Sequence, residues 1–256
     1  MTAPAFLEPG EPAPARALRP EGRSPFVLTA DHAGNLFPRR LDFLGVSEAE
    51  RQRHIAWDIG IAGVCEHMSS LMDAACVLQT YSRLVIDCNR HPSWDSAMPV
   101  VSEFTEIPGN RDLTEADRGA RVAGVFQPYH DRIASLLDAR AARGQRSIVV
   151  AMHSFTPVFR NEHRAVEVGV LYWRKTRLAE IMLDLLRAEG GLNVGENEPY
   201  ALTQDSDYSI PTHAEGRALE HVEIEIRQDL IADATGQAAW GDRFARLLGE
   251  ALVRLG

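Results

Sequence analysis

Four stretches of the chain bring together residue types that handle protons, carboxylates and metal ions. The densest is Tyr81-Ser82-Arg83-Leu84-Val85-Ile86-Asp87-Cys88-Asn89-Arg90, where a short apolar run leads into a charged and amide cluster. Arg90 offers a planar fork of donors that matches a carboxylate, and Asn89 adds a second donor group beside it. His32 and His153 each follow an apolar run, and Glu223 and Glu225 alternate with Val222, Ile224 and Ile226. This is an inventory for metal-dependent hydrolysis. Two neutral imidazoles and a carboxylate leave an open position on zinc, and a water there is acidic enough to attack an amide carbonyl near neutral pH. A free glutamate takes the water's proton and returns it to the leaving amine, while arginines face the oxyanion and a substrate carboxylate. Each residue also has a plainer reading. An Asn-Arg pair is commonly solvated in a loop, a single histidine is commonly structural, and alternating carboxylates suit the wet face of an edge strand.

The elements that would position these groups read as a sheet alternating with helices. Leu84, Val85 and Ile86 have the pattern of a buried strand, as do Phe26 to Ala30, Ala75 to Thr80, Ser147 to Met152, Val166 to Tyr172 and the alternating run His221 to Ile231. Ligands of open α/β sheets bind outside the carboxyl ends of the strands, which is where His32, Asp87 to Arg90 and His153 fall. Ser47-Glu48-Ala49-Glu50 reads as a capping box. It is followed by His54 and Asp58, which share a face if that helix is continuous; Asp58 serves equally well as the N-cap of a helix beginning at Ile59. Thr114-Glu115-Ala116-Asp117 opens a long helix to Arg143-Gly144, and Pro128 should kink it and re-aim Tyr129 and His130. Thr176 to Ala188, closed by Gly190-Gly191, and Trp240 to Leu255 read as further helices. Two irregular segments remain: residues 92–111, a long functional loop, and 196–215, a lid or specificity wall carrying Tyr200, Asp205, Asp207 and His213.

Composition narrows the function classes. A chain of 256 residues with 45% apolar content can bury a full core. Its net charge of −9 and lack of a Lys/Arg run exclude a nucleic-acid or anionic-membrane partner. No stretch approaches the roughly 20 apolar residues of a membrane span, and no signal peptide opens the chain, so a cytoplasmic location is expected. Cys65, Cys76 and Cys88 show no CxxC spacing and read as small buried side chains. Residues 1–23 contain five prolines and few large apolar groups, and read as an extended or disordered tail before a single domain over 24–256.

His32-Ala33-Gly34, Ser82-Arg83 through Asp87-Cys88-Asn89-Arg90, Pro128-Tyr129-His130, Met152-His153-Ser154 and Glu223-Ile224-Glu225-Ile226-Arg227 resemble, in order, the motifs of the N-formylglutamate amidohydrolase family. The resemblance covers about residues 25–250. It implies a three-layer α/β/α sandwich with a mixed, largely parallel sheet of the zinc-peptidase type, and hydrolysis of N-formyl-L-glutamate to formate and L-glutamate with one zinc ion. It further implies His32 and His153 as metal ligands, Glu225 as the catalytic glutamate, Arg83 as the oxyanion arginine, and Asn89 and Arg90 as the carboxylate grip. His130 and His213 are expected at the substrate. The wider group of relatives uses a His-x-x-Glu pair, but position 35 is Asn. Asp58, at a similar distance to an Asp of the family, is therefore the expected third ligand.

Three rivals stay open. A serine-hydrolase reading through Ser154 lacks a G-x-S-x-G elbow, and Ser154 and His153 would point to opposite faces of a strand. A deacylase or carboxypeptidase-like exopeptidase would use the same metal site on another N-acyl amino acid or short peptide. A non-catalytic metal- or carboxylate-binding protein would have no use for Glu225. The small-molecule partner is an N-acyl amino acid in the leading reading, and the sequence leaves the oligomeric state and the choice between Glu223 and Glu225 undecided.

Overall fold

The computed structural model describes residues 6–203 and 206–256. In chain order its strands are β1 (Ala15–Leu18), β2 (Phe26–Ala30), β3 (Ala75–Gln79), β4 (Val101–Ser102), β5 (Thr105–Glu106), β6 (Ile148–Phe155), β7 (Val158–Phe159), β8 (Glu162–His163), β9 (Val168–Leu171), β10 (Val194–Glu196) and β11 (His221–Arg227). The helices are α1 (Glu48–Arg51), α2 (Ile61–Met72), α3 (Glu115–Arg121), α4 (Gln127–Ala142), α5 (Arg177–Glu189) and α6 (Ala234–Leu255). Seven strands form one sheet in the order β1-β3-β2-β6-β11-β9-β10. The four central strands are parallel, and β1 and β9 run against their neighbours β3 and β11.

Alternation along the central strands assigns the two faces. Leu28, Val150, Met152 and Ile224 point into a core with residues of α2, α5 and α6. Val27, Val77, Val149 and Ala151 point into a second core with Tyr129, Ile133 and Leu137 of α4. The result is the expected mixed, largely parallel three-layer sandwich. β11 is a central strand between β6 and β9, not an edge strand, so its alternating carboxylates face protein rather than water. No helix among the described residues is long and apolar enough to cross a membrane, and the three cysteines are buried and unpaired.

The structure departs from the sequence reading in four places that bear on the site. Leu84, Val85 and Ile86 are fully buried but lie in turns beyond β3 rather than in a strand. Side-chain donors replace the missing sheet ladder. Asn110 Nδ2 bonds the Leu84 carbonyl at 3.0 Å, and Arg121 Nη1 bonds that of Val85 at 2.9 Å. His54 and Asp58 share no helix, because α1 ends at Arg51 and α2 begins only after the Gly60 N-cap. The long helix is broken by a π-helical turn at Val122–Phe126, just before Pro128, rather than by a simple proline kink. The N-terminal segment is not free chain throughout: Ala15–Leu18 pairs with β3, from Ala15↔Gln79 to Leu18↔Cys76. Residues 1–5 of that segment lie outside the described residues.

Asn110 holds the buried turn from both sides, since Nδ2 also bonds the Pro99 carbonyl and Oδ1 accepts from Arg121. Asn110→Ala leaves two carbonyls and one guanidinium nitrogen short of a partner, and is expected to cost about 3 kcal/mol of stability. Urea unfolding at unchanged slope reads this as a lower midpoint; a loss under about 1 kcal/mol would mean that water replaces the amide.

Candidate active site

The carboxyl ends of β2, β3, β6 and β11 open into a cavity of about 450 Å³ whose walls include His32, Asp58, Arg83, Asp87, Asn89, Arg90, His153, Glu223 and Glu225. Seven of the nine expected site residues, Asp87 and Glu223 aside, thus converge on one space. The other two, His130 and His213, do not line it.

At the cavity floor, His32, Asp58 and His153 are buried and offer ligand atoms that all lie within 4.8 Å of one another. Asp58 Oδ2 is 3.4 Å from His32 Nδ1 and 3.0 Å from His153 Nδ1. Asp58 is fixed by its backbone as well as its carboxylate. Its N–H bonds the His32 carbonyl at 2.9 Å, and its Oδ2 accepts the Ser154 N–H at 3.2 Å. The far side of each ring meets a carboxylate. His32 Nε2 is 2.7 Å from Asp87 Oδ1, and His153 Nε2 lies 3.6 Å from Asp31 Oδ2 and 3.9 Å from Glu223 Oε2. A proton on His32 Nε2 leaves its Nδ1 lone pair turned toward Asp58, the tautomer that a metal ligand needs, whereas His153 bonds Asp58 through Nδ1 and keeps a buried Nε2 without a hydrogen-bond partner.

Electrostatics give the same picture. Burial is the largest influence on Asp31, Asp58 and Asp87 and opposes their ionisation. It is outweighed chiefly by His153, His32 and Arg83 respectively, so all three carboxyls titrate below the usual range. Burial equally opposes charge on the two imidazoles, and Arg83 adds to this at His32. Glu223 at His153, and Asp87 and Asp58 at His32, override it and raise both rings. The cluster is thus a buried anionic cradle that calls for positive charge.

A divalent cation fits that requirement. With bonds of about 2.0–2.1 Å its tetrahedral ligands stand about 3.3 Å apart, close to the two separations around Asp58. His32 Nδ1 is buried without a hydrogen-bond partner, as is Oε2 of both Glu223 and Glu225. Glu225 is in register with His153 across β11 and β6, whereas Glu223 is in register with Ala151, one step deeper in the sheet. Burial first, with Asp58 adding and His153 opposing, pushes the Glu225 carboxyl up to about 7. Burial raises Glu223 well above the usual range.

Arg83 spends two donors on Asp87 Oδ2, at 3.0 and 2.6 Å, and its Nη1 stands 3.6 Å from Asp58 Oδ1. Asn89 and Arg90 already hold a carboxylate of the chain itself. Asn89 Nδ2 bonds Asp207 at 3.0 Å, while its Oδ1 accepts from the N–H groups of Tyr208 and Ser209. Arg90 Nη1 bonds the Ser206 carbonyl and stands 3.7 Å from Asp207. The 196–215 segment therefore supplies one wall of the cavity through Tyr200, Leu202 and Asp207; Asp205 lies outside the described residues. Ser154 donates its hydroxyl to the Ile59 carbonyl, an arrangement that occupies the group a serine hydrolase would use.

His130 and His213 sit behind the cavity wall instead of at the substrate. His130 Nε2 donates to the Cys88 carbonyl at 2.9 Å, so its Nδ1 accepts from His213 Nε2 at 2.8 Å. This chain of bonds fixes the backbone next to Asn89. Two roles escaped the sequence reading, although Asp87 stands in the charged cluster. Asp31 lies 3.6 Å from His153 Nε2 and is itself held by the Tyr129 hydroxyl at 2.6 Å, and Asp87 orients His32. Their signals were adjacency to His32 for Asp31, and the four-residue spacing from Arg83 for Asp87.

Residues 24–232 match the family model described as N-formylglutamate amidohydrolase. In three dimensions the chain is similar to a gene product of Agrobacterium tumefaciens, 39% identical, with a TM-score of 0.93 over 98% of this chain and 99% of that one. It is also similar to an N-formylglutamate amidohydrolase of Ralstonia eutropha, 21% identical, with a TM-score of 0.70 over 94% of this chain and 98% of that one. The second likeness speaks for the fold alone. No protein of curated function matches the chain.

The paired histidines carry a pH signature. Burial pushes His130 down to about 4, and burial with the neighbouring His130 pushes His213 down to about 3. In the unfolded chain both titrate near 6.5. Between these values the unfolded state binds more protons, so stability falls as pH drops from about 6.5 toward 4. His213→Asn is expected to remove about 2 kcal/mol of the wild-type loss between about pH 7.5 and 5, measured by urea unfolding at both pH values. Equal pH dependence in the two proteins would overturn this.

Proposed function

The chain belongs to the N-formylglutamate amidohydrolase family, and from that premise and the site geometry we propose that it hydrolyses an N-acyl amino acid, N-formyl-L-glutamate first among them, to formate and L-glutamate with one bound divalent metal ion, zinc by its ligand set. The observation that carries this reading is the buried His32, Asp58 and His153 cluster with Glu225 in register beside it.

His32, Asp58 and His153 would hold the metal ion, which would supply polarisation of the amide carbonyl and a more acidic water. The chain's own groups do the rest. Asp87 keeps the Nε2 proton of His32, which would leave its Nδ1 free to hold the metal, and Asp31 places negative charge on the Nε2 side of His153. Glu225 takes the proton of the attacking water as the new C–O bond forms, and delivers it to the nitrogen as the C–N bond breaks. A carboxyl poised near neutrality suits both halves of that transfer. Arg83 turns its Nη1, the donor not spent on Asp87, toward the developing oxyanion. Glu223, whose carboxyl burial holds well above the usual range, stays a neutral neighbour one step deeper in the sheet.

One observation favours a second reading, a deacylase for another N-acyl amino acid. Asn89 and Arg90, the expected carboxylate grip, are occupied by Asp207. A panel of N-acyl amino acids separates the two.

Purified protein loaded with zinc is expected to release formate from N-formyl-L-glutamate and to stop when a chelator removes the ion. Release that survives metal removal would sink the proposal. Glu225→Gln should keep metal content and fold while losing about two to four orders of magnitude in kcat; full turnover would move the base elsewhere. Asp87→Asn should weaken metal binding about 10- to 100-fold in competition with a chelator, and an unchanged affinity would rule out its orienting role.

A further inference from the structure

We infer that Arg164, on the segment between β8 and β9, reads the side-chain carboxylate of the substrate. This rests on the proposal above that the substrate is an acyl glutamate, which brings two carboxylates into the cavity.

The arginines nearest the reacting centre are spent on the chain's own acids. Arg83 holds Asp87, Arg90 holds Asp207, and Arg53 holds Glu50 and Glu103. Arg164 is different. Its partners are a hydroxyl and three rings: Nη1 donates to Tyr200 Oη at 2.7 Å, and its guanidinium carbon lies 4.7 Å from the ring centres of Phe159 and Tyr200 and 5.7 Å from that of Phe155. Among the described residues no carboxylate lies within ion-pair distance of it. Arg160, the other guanidinium over Phe159, is exposed to water.

All three rings line the cavity. Arg164 itself is half-buried and reaches the cavity through these rings rather than as part of its wall; stacked on their faces, with one Nη1 bond on Tyr200, it keeps its remaining in-plane donors open, the arrangement that binds a carboxylate through two parallel bonds. The reach is right. His153 and Phe155 are alternate residues on one face of β6, about 7 Å apart along the strand. In an extended acyl glutamate the side-chain carboxylate carbon lies five bonds, about 6 Å, from the acyl carbon. A substrate with its scissile amide over His153 thus presents that carboxylate at the rings against which Arg164 rests.

The test compares metal-loaded wild type with Arg164→Gln and Arg164→Lys on N-formyl-L-glutamate and N-formyl-L-glutamine, by kcat/KM and by calorimetric binding to the same proteins in a Glu225→Gln background. The expected result is a preference for the acid that falls about 10- to 100-fold in Arg164→Gln, through KM and binding rather than kcat, with partial recovery in Arg164→Lys. A preference that changes less than about threefold, or no preference in wild type by either readout, overturns the inference. Formate release without Arg164 dependence defeats this inference and leaves the proposed function standing. Arg164-dependent binding without formate release does the reverse.

Discussion

Asp58 is the point on which the site depends, because a buried carboxylate must be compensated or the fold must give way. Its backbone N–H is bonded to the end of β2, and its carboxylate to the Ser154 N–H and the His153 ring on β6. Three separate segments are thereby locked in one geometry around a single oxygen. The surrounding anions, Asp31 and Asp87, then make sense as groups that face the two imidazoles rather than as an accumulation of unfavourable charge. The whole cluster gains from a cation, and each half of it would be costly without the other.

The parallel strands explain why such a cluster can be built at all. β3, β2, β6 and β11 run the same way, so their carboxyl ends form one rim: His32 follows β2, Arg83 and Asp87 follow β3, and His153 and Glu225 lie in the last residues of β6 and β11. Register does the finer placement: Glu225 stands opposite His153, and a slip of one residue would turn Glu225 into the opposite core.

Much of this was legible in the chain because apolar runs followed by polar residues survive translation into strands and their ends. β2, β6, β11, α5 and α6 appear close to where the pattern puts them, and His32 and His153 fall at the carboxyl ends of β2 and β6. The failures share a cause. Leu84 to Ile86 are as buried as any strand, but the carbonyls of Leu84 and Val85 are satisfied by Asn110 and Arg121, distant residues that no local pattern announces. Spacing leaves Asp58 open between a helix shared with His54 and the cap of the next one; it lies between the two helices, and its position is set by tertiary bonds. His130 and His213 have the right chemistry for substrate contact but bond each other behind the wall, where only the fold decides which face of a ring meets the cavity.

The N-terminal segment matters in a way unrelated to catalysis. β3 would otherwise be the outer strand of the sheet, five wholly buried residues long, with its hydrogen-bonding groups open to any passing chain. Ala15–Leu18 covers that edge, and Pro12 and Pro14 just before it offer no N–H for further pairing. The proline-rich stretch therefore works as a seal against edge-to-edge aggregation, which gives residues with nothing to catalyse a reason to be ordered.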